Sequence, residues 1–88
     1  MYYILKDKQP VKVSYDEYLK QNISDDIIAK DNFGTTIIST VFVGVYNCMF
    51  ETMVFGDPDL EGYQKRYSTY EESVKGHQMI KECIEKLS

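Results

Sequence analysis

Tryptophan is absent from this 88-residue sequence, arginine and histidine occur once each (Arg66 and His77), and there are only two cysteines and two prolines. Two cysteines, Cys48 and Cys83, cannot build a disulfide framework, so a reducing cytoplasm is the expected compartment. Joined with His77 they make three isolated metal ligands without paired spacing, whereas a structural zinc site takes four. Neither cysteine has a sequence-local partner that would mark it as a nucleophile. No apolar run approaches the ~18–20 residues of a bilayer span, and no basic start with an apolar stretch resembles a signal peptide. Excess positive charge is lacking too. A formal charge of −4 argues against direct nucleic-acid binding, which needs a basic surface to displace counterions.

What is present suits one globular domain over 1–88, with 43% apolar and 27% charged residues. A chain of this length has an expected radius of gyration of about 12 Å. Folding then buries roughly 60–65% of its unfolded surface, so the core is small. Charge is spread unevenly. Five lysines stand against six acids over 1–33 and five basic residues against seven acids over 57–88, but 34–56 holds only Glu51. So apolar a segment belongs in the middle of the fold or at an interface.

Tyr2 to Leu5 and Val11 to Val13 read as short strands around the turn from Lys6 to Pro10. Ser14 opens a short helix, because Glu17 three residues later completes a capping box, and Asn22 is its expected stop. Asp26 to Phe33 is a strand ending at Gly34. Thr35 to Tyr46, rich in Thr, Ile, Val and Phe, is the strongest strand, and Asn47-Cys48 is the expected tight turn into Met49 to Phe55. Gly56 to Gly62 is a loop. A second helix runs from Ser68 towards Leu87, announced by a Ser68 and Glu71 capping box. Tyr70, Ser73, Gly76, His77, Ile80, Cys83, Ile84 and Leu87 fall on its buried side, and Gly76 there allows close backbone approach. The expected architecture is α+β: a mainly antiparallel sheet of four to five strands in the order β-β-α-β-β-β-α, with one short helix and a long C-terminal amphipathic one.

A two-residue turn in the central hairpin puts Val41, Val43, Val45, Phe50, Thr52 and Val54 on one face, suited to the helix-covered core. The other face then carries Thr40, Phe42, Gly44, Tyr46, Met49, Glu51, Met53 and Phe55. An antiparallel sheet with one wet side should alternate apolar and polar residues, and this one does not. Either the helices split, one to each face, or Phe42, Tyr46, Met49, Glu51, Met53 and Phe55 form an interface, most simply in a homodimer.

Candidate chemistry is sparse. Glu51 and His77 could move protons as a pair, but no nucleophile or metal set accompanies them, and a lone histidine on an apolar helix side is more often a core residue. The loop Asp57-Pro58-Asp59-Leu60-Glu61-Gly62 begins like a calcium loop, yet Ser68 stands where the bidentate glutamate belongs. Lys65, Arg66, Tyr67, Ser68 and Thr69 lie before a helix start and could hold a phosphate. The competing reading is that the capping box already occupies those amides and Arg66 pairs with an acid. Eight tyrosines suit a recognition surface and a small core alike. No cofactor is expected.

The blocks Tyr2-Tyr3-Ile4-Leu5 with Pro10-Val11, Ile38 to Gly44, Phe50 to Gly56, and Tyr67 to Glu72 with Gly76-His77 together resemble a widespread family of small phage and prophage proteins of uncharacterised function. The family pattern has a longer Gly/Pro-rich loop with an Asp-His pair where this sequence has Tyr46-Asn47-Cys48, so no ligand site using that histidine carries over. The resemblance implies an accessory protein in the cytoplasm of an infected bacterium and brings no catalytic residues with it. The function expected from it is non-enzymatic: a homodimeric binder that antagonises a host or defence-system protein by occlusion, as anti-CRISPR proteins do. One alternative is a sponge for an immune nucleotide built on Lys65 to Thr69. Another is a small enzyme using Glu51 and His77.

Overall fold

In a computed structural model, described over residues 2–21, 26–45 and 48–87, the chain opens with an antiparallel hairpin of β1 (Tyr2–Lys6) and β2 (Gln9–Val13). Asp7 and Lys8 form its turn with φ of +51° and +68°, the left-handed pair that matches strand twist. Ser14 caps α1 (Tyr15–Leu19) by accepting from the Glu17 backbone amide, as its capping box predicts. β3 (Ile27–Phe33), β4 (Thr36–Val45) and β5 (Cys48–Phe55) follow as antiparallel neighbours. After the loop comes β6 (Gln64–Tyr67), and α2 (Tyr70–Leu87) closes the chain. The expected helix stop at Asn22 and the turn position Asn47 lie outside the described residues.

The six strands form one sheet in the order β2-β1-β4-β5-β6, with β3 also paired to β4. β5 occupies one edge of β4, so β3 and β1 share the other, β3 along residues 36–41 and β1 at the Tyr2 and Val45 pair. Laying two hairpins end to end this way stretches the molecule to 43 × 20 × 20 Å. β6 is the strand that its sequence conceals: Gln64-Lys65-Arg66-Tyr67 has no apolar alternation and joins the sheet only through pairing with β5.

The helix α2 covers one sheet face. Ile38, Val54, Ile80 and Ile84 form one core group beneath it, and Phe42, Phe50 and Tyr67 form a second. The Phe42 and Phe50 rings meet edge to face at 5.1 Å between centroids, and burying each such side chain contributes about 1.5–3 kcal/mol. Gly76 lets α2 come this close: a Cβ there would overlap the Tyr67 phenol. Cys83, expected on the buried side, is exposed. The cap of α2 also slips by one residue, because Thr69 rather than Ser68 accepts the Glu72 amide and reaches the Glu72 carboxylate.

The central hairpin corrects the expected assignment of faces in β4. Phe42 pairs with Phe50 and Val41 with Glu51, and the register shifts before Val45 meets Cys48. Cys48 therefore belongs to a strand, not to a turn. Gly44, at φ +76°, absorbs the irregularity against the Tyr3 carbonyl and the Phe42 ring, where a Cβ would not fit. As a result Thr36, Ile38, Thr40, Phe42 and Gly44 point under α2, while Ile37, Ser39, Val41, Val43 and Val45 occupy the other face. Phe42 is only 4% exposed and is a core residue, not an interface residue. In β5 the assignment stands, with Phe50, Thr52 and Val54 buried and Glu51, Met53 and Phe55 on the opposite side.

Candidate functional site

Two arrangements could carry function: a polar chain buried under α2 and the sheet face away from it. The first joins four elements. His77 on α2 places Nε2 2.7 Å from Asp31 Oδ2 on β3 and Nδ1 2.6 Å from Thr40 Oγ1 on β4. Thr40 Oγ1 lies 2.5 Å from Thr52 Oγ1 on β5. Lys81, one helical turn beyond His77, stands 3.5 Å from the other Asp31 oxygen. The hydrogen bond from His77, assisted by the charge of Lys81, holds the Asp31 carboxyl below the usual carboxylate range against the opposing effect of burial. An ionised Asp31 accepts the Nε2 proton. In a neutral ring Nδ1 is then an acceptor, Thr40 donates to it, and Thr52 donates to Thr40.

Hydroxyl, imidazole and carboxylate in that sequence have the connectivity of a nucleophile–base–acid triad. Accessibility decides the matter against that chemistry. Thr40 and Thr52 are 0% exposed and His77 4%, so no substrate atom can come within the ~3 Å that attack requires. What the chain does is tie α2 to three strands without leaving a buried polar group unpaired.

The expected Glu51 and His77 pair does not form, because their strands and helix put them on opposite sheet faces. Both His77 nitrogens are engaged by Thr40 and Asp31. Glu51 Oε2 instead accepts from Gln64 Nε2 at 2.8 Å and Arg66 Nε at 3.2 Å. The Cys48 thiol donates to the same oxygen at 3.7 Å. Burial, and next the charge of Glu51, push that thiol upward, which disfavours the thiolate form.

β6 divides the basic cluster. Glu51 pairs with Arg66 across the open face, while Lys65 and Tyr67 stand opposite Thr52 and Phe50 on the helix side. Lys65 Nζ lies 5.9 Å from the Tyr67 ring centroid. Lys65, Arg66, Tyr67, Glu72, Lys75 and Met79 line a cleft of about 230 Å³ between β6 and α2, and the buried Tyr67 hydroxyl has no hydrogen-bond partner. Ser68 is exposed and Thr69 is engaged in the helix cap. In the acidic loop Asp57 Oδ1 accepts the Asp59 amide, which makes it an Asx turn. Among the described residues no group of three or more His, Cys, Asp or Glu could hold a metal ion.

The second arrangement is the open sheet face. Residues along β4 and β5 alternate between buried and half-buried, the pattern of a sheet covered on one side only. Val41 and Met53 are half-buried, and Ile27 and Phe55 are 45% and 43% exposed. Ile27 stands opposite Val41, and Ile37 opposite Phe55. The short α1 packs on the β1 end, where Tyr15 and Tyr18 lie 5.0 and 4.9 Å from the Tyr2 ring and the Tyr18 hydroxyl donates to the Val43 carbonyl. Five residues reach no further than that. Of the expected interface set, Glu51, Met53 and Phe55 are on this face. Met49 is half-buried against the Phe42 group, and Tyr46 lies outside the described residues.

Val41, Ile37 and Ile27 join the face because the register turns them outward. Nothing in their residue types distinguishes them from core valines and isoleucines. The polar chain had one legible signal: Thr40 and Thr52 are polar residues inside largely apolar strands. No protein-family model, curated protein or solved structure matches the chain. No helix among the described residues is long and apolar enough to cross a membrane.

Proposed function

We propose that this chain is a non-enzymatic binding protein that blocks a partner by occlusion, and that its open sheet face is its association surface. The observation that carries this reading is the one-sided cover of the sheet. α2 seals the Phe42 and Phe50 face, and among the described residues nothing longer than the five-residue α1 shelters Val41, Met53 and Phe55. Mixed aliphatic, aromatic and methionine surfaces of this kind favour protein contacts. The burial of its only hydroxyl–imidazole–carboxylate chain supports a role without catalysis. The resemblance to phage proteins supplies the setting: an antagonist of a defence or host protein, of the anti-CRISPR kind, in the cytoplasm of an infected bacterium. The test is phage plating on a host that carries a CRISPR system directed against that phage. Expression of the chain should restore plaques, and Val41→Asp with Met53→Asp should abolish the effect. Plaques restored equally well by that double variant would contradict the reading.

A second reading is favoured by the cleft between β6 and α2: Lys65, Arg66 and Lys75 line it against the single carboxylate of Glu72, and such a set of cations suits a phosphate group, as a nucleotide sponge would require. Calorimetry against cyclic nucleotides and ADP-ribose tests this, with Lys65→Ala and Lys75→Ala expected to remove the heat of binding. No heat from wild type rules it out.

A further inference from the structure

We infer that the cleft between β6 and α2 is a strand-addition groove, and that its occupant is an extended peptide segment carrying an acidic side chain towards α2. This groove gives the binding protein a partner class on a surface separate from the open sheet face, and it does not depend on that face. β6 ends the sheet, and among the described residues no strand pairs with its outer edge. The register fixes which backbone groups that edge presents. Met53 stands opposite Gln64 and Thr52 opposite Lys65, and the Val54 amide donates to the Tyr63 carbonyl at 3.3 Å. Residues that bond across an antiparallel pair alternate along the strand, so Tyr63, Lys65 and Tyr67 turn their backbone groups to β5. Gln64 and Arg66 turn theirs outward, both at exposed positions. They offer two amides and two carbonyls to a chain laid alongside, which is the bonding of an added strand. The cleft lies against this same edge: Arg66 lines it although its side chain is on the opposite sheet face, and α2 forms the second wall through Glu72, Lys75 and Met79.

Charge selects the occupant. Lys65, Arg66 and Lys75 line the groove against the carboxylate of Glu72. Arg66 is answered by Glu51 at 3.2 Å, and Glu72 accepts from the Thr69 hydroxyl in the helix cap. Lys65, 5.9 Å from the Tyr67 ring centroid, and Lys75 therefore set the sign of what an incoming strand meets. Lys65 is on the helix side of β6, opposite Thr52. A residue added opposite Lys65 points its side chain to that side as well, into the cleft that both lysines line. A carboxylate there makes a favourable cross-strand pair, and a lysine an unfavourable one. A second copy of β6 would bring Lys65 and Arg66 of two chains together, so the basic edge guards against self-pairing while it admits an acidic strand. Met79, 67% exposed on the helix wall, gives that strand's side chains an apolar surface to lie on.

Fluorescence anisotropy with the full chain and a capped, labelled hexapeptide alternating valine and glutamate tests this. Wild type should bind the peptide saturably. With its glutamates towards α2, the valine amides face β6 and the glutamate amides face away. Methylating the valine amides should therefore weaken binding about 10-fold or more, and methylating the glutamate amides should not. Exchanging the glutamates for lysines should weaken it as much. Lys65→Glu should do the same, whereas Lys86→Glu, the same charge change in the last turn of α2, should have no effect. Circular dichroism of Lys65→Glu with an unaltered helical signal excludes unfolding, and the methylated peptides leave the protein untouched. No saturable binding, equal binding of the lysine peptide, or indifference to the valine methyl groups overturns the inference. If ADP-ribose or a cyclic nucleotide gives heat while the peptide does not bind, strand addition fails and the phosphate reading of the cleft survives. If the peptide binds as described yet Val41→Asp with Met53→Asp still restores plaques, occlusion through the open face fails and the groove stands.

Discussion

His77 on α2 and Asp31 on β3, 46 positions apart in sequence, meet at 2.7 Å between Nε2 and Oδ2. This bond anchors the helix to β3, on the side of β4 away from β5 and β6, and ends a polar chain that crosses the core. Replacing His77 with Ala should leave Thr40 and Asp31 without their partner and open a cavity. The expected cost is about 2–4 kcal/mol, or a fall in Tm of ~10 °C or more for a domain of this size, measured by calorimetry.

The same contact sets an acid limb. The Asp31 carboxyl sits below its ordinary value, mainly through the His77 hydrogen bond and then through Lys81. A depressed folded-state value stabilises the protein above the unfolded aspartate value of about 3.9 and is lost as pH falls through the folded value. Wild type should therefore lose stability below about pH 4 more steeply than Asp31→Asn. Urea titrations at pH 3 to 7 check this, with a smaller pH slope expected for the variant.

Tyr67 and Gly76 give opposite mutational signs at one contact. Gly76→Ala drives a methyl into the phenol and should destabilise by about 1–3 kcal/mol. Tyr67→Phe removes a buried hydroxyl that lacks a partner, and should be neutral or stabilising by about 1 kcal/mol. Chemical denaturation midpoints of the two variants decide it.

Glu51 and Arg66 should contribute little to folding. The Arg66 side chain is 60% exposed, and pairs of that kind are worth less than about 1 kcal/mol. A double-mutant cycle with Glu51→Gln and Arg66→Gln should return a coupling below that value.

Local signals made much of this fold legible. The Ser14 and Glu17 cap and, Cys83 apart, the periodicity of α2 depend on residues within a few positions of one another and are as expected. What depended on long-range pairing was not legible. Both faces of β4 are apolar, so hydrophobicity could not choose between registers; the irregularity at Gly44 made the choice and moved Phe42 into the core. β6 has no pattern of its own and exists because β5 offers it an edge. The slip of the α2 cap from Ser68 to Thr69 follows from where β6 ends. The open face was thus recognisable in β5, through Glu51, Met53 and Phe55, but not in β4.

Methionine-methyl NMR with a soluble paramagnetic agent tests the central claim most directly, because Met53 marks the open face and Met79 the exposed side of α2. In dilute protein both methyls should relax strongly. A Met53 methyl shielded from the agent in dilute protein would contradict a sheet whose second face is open.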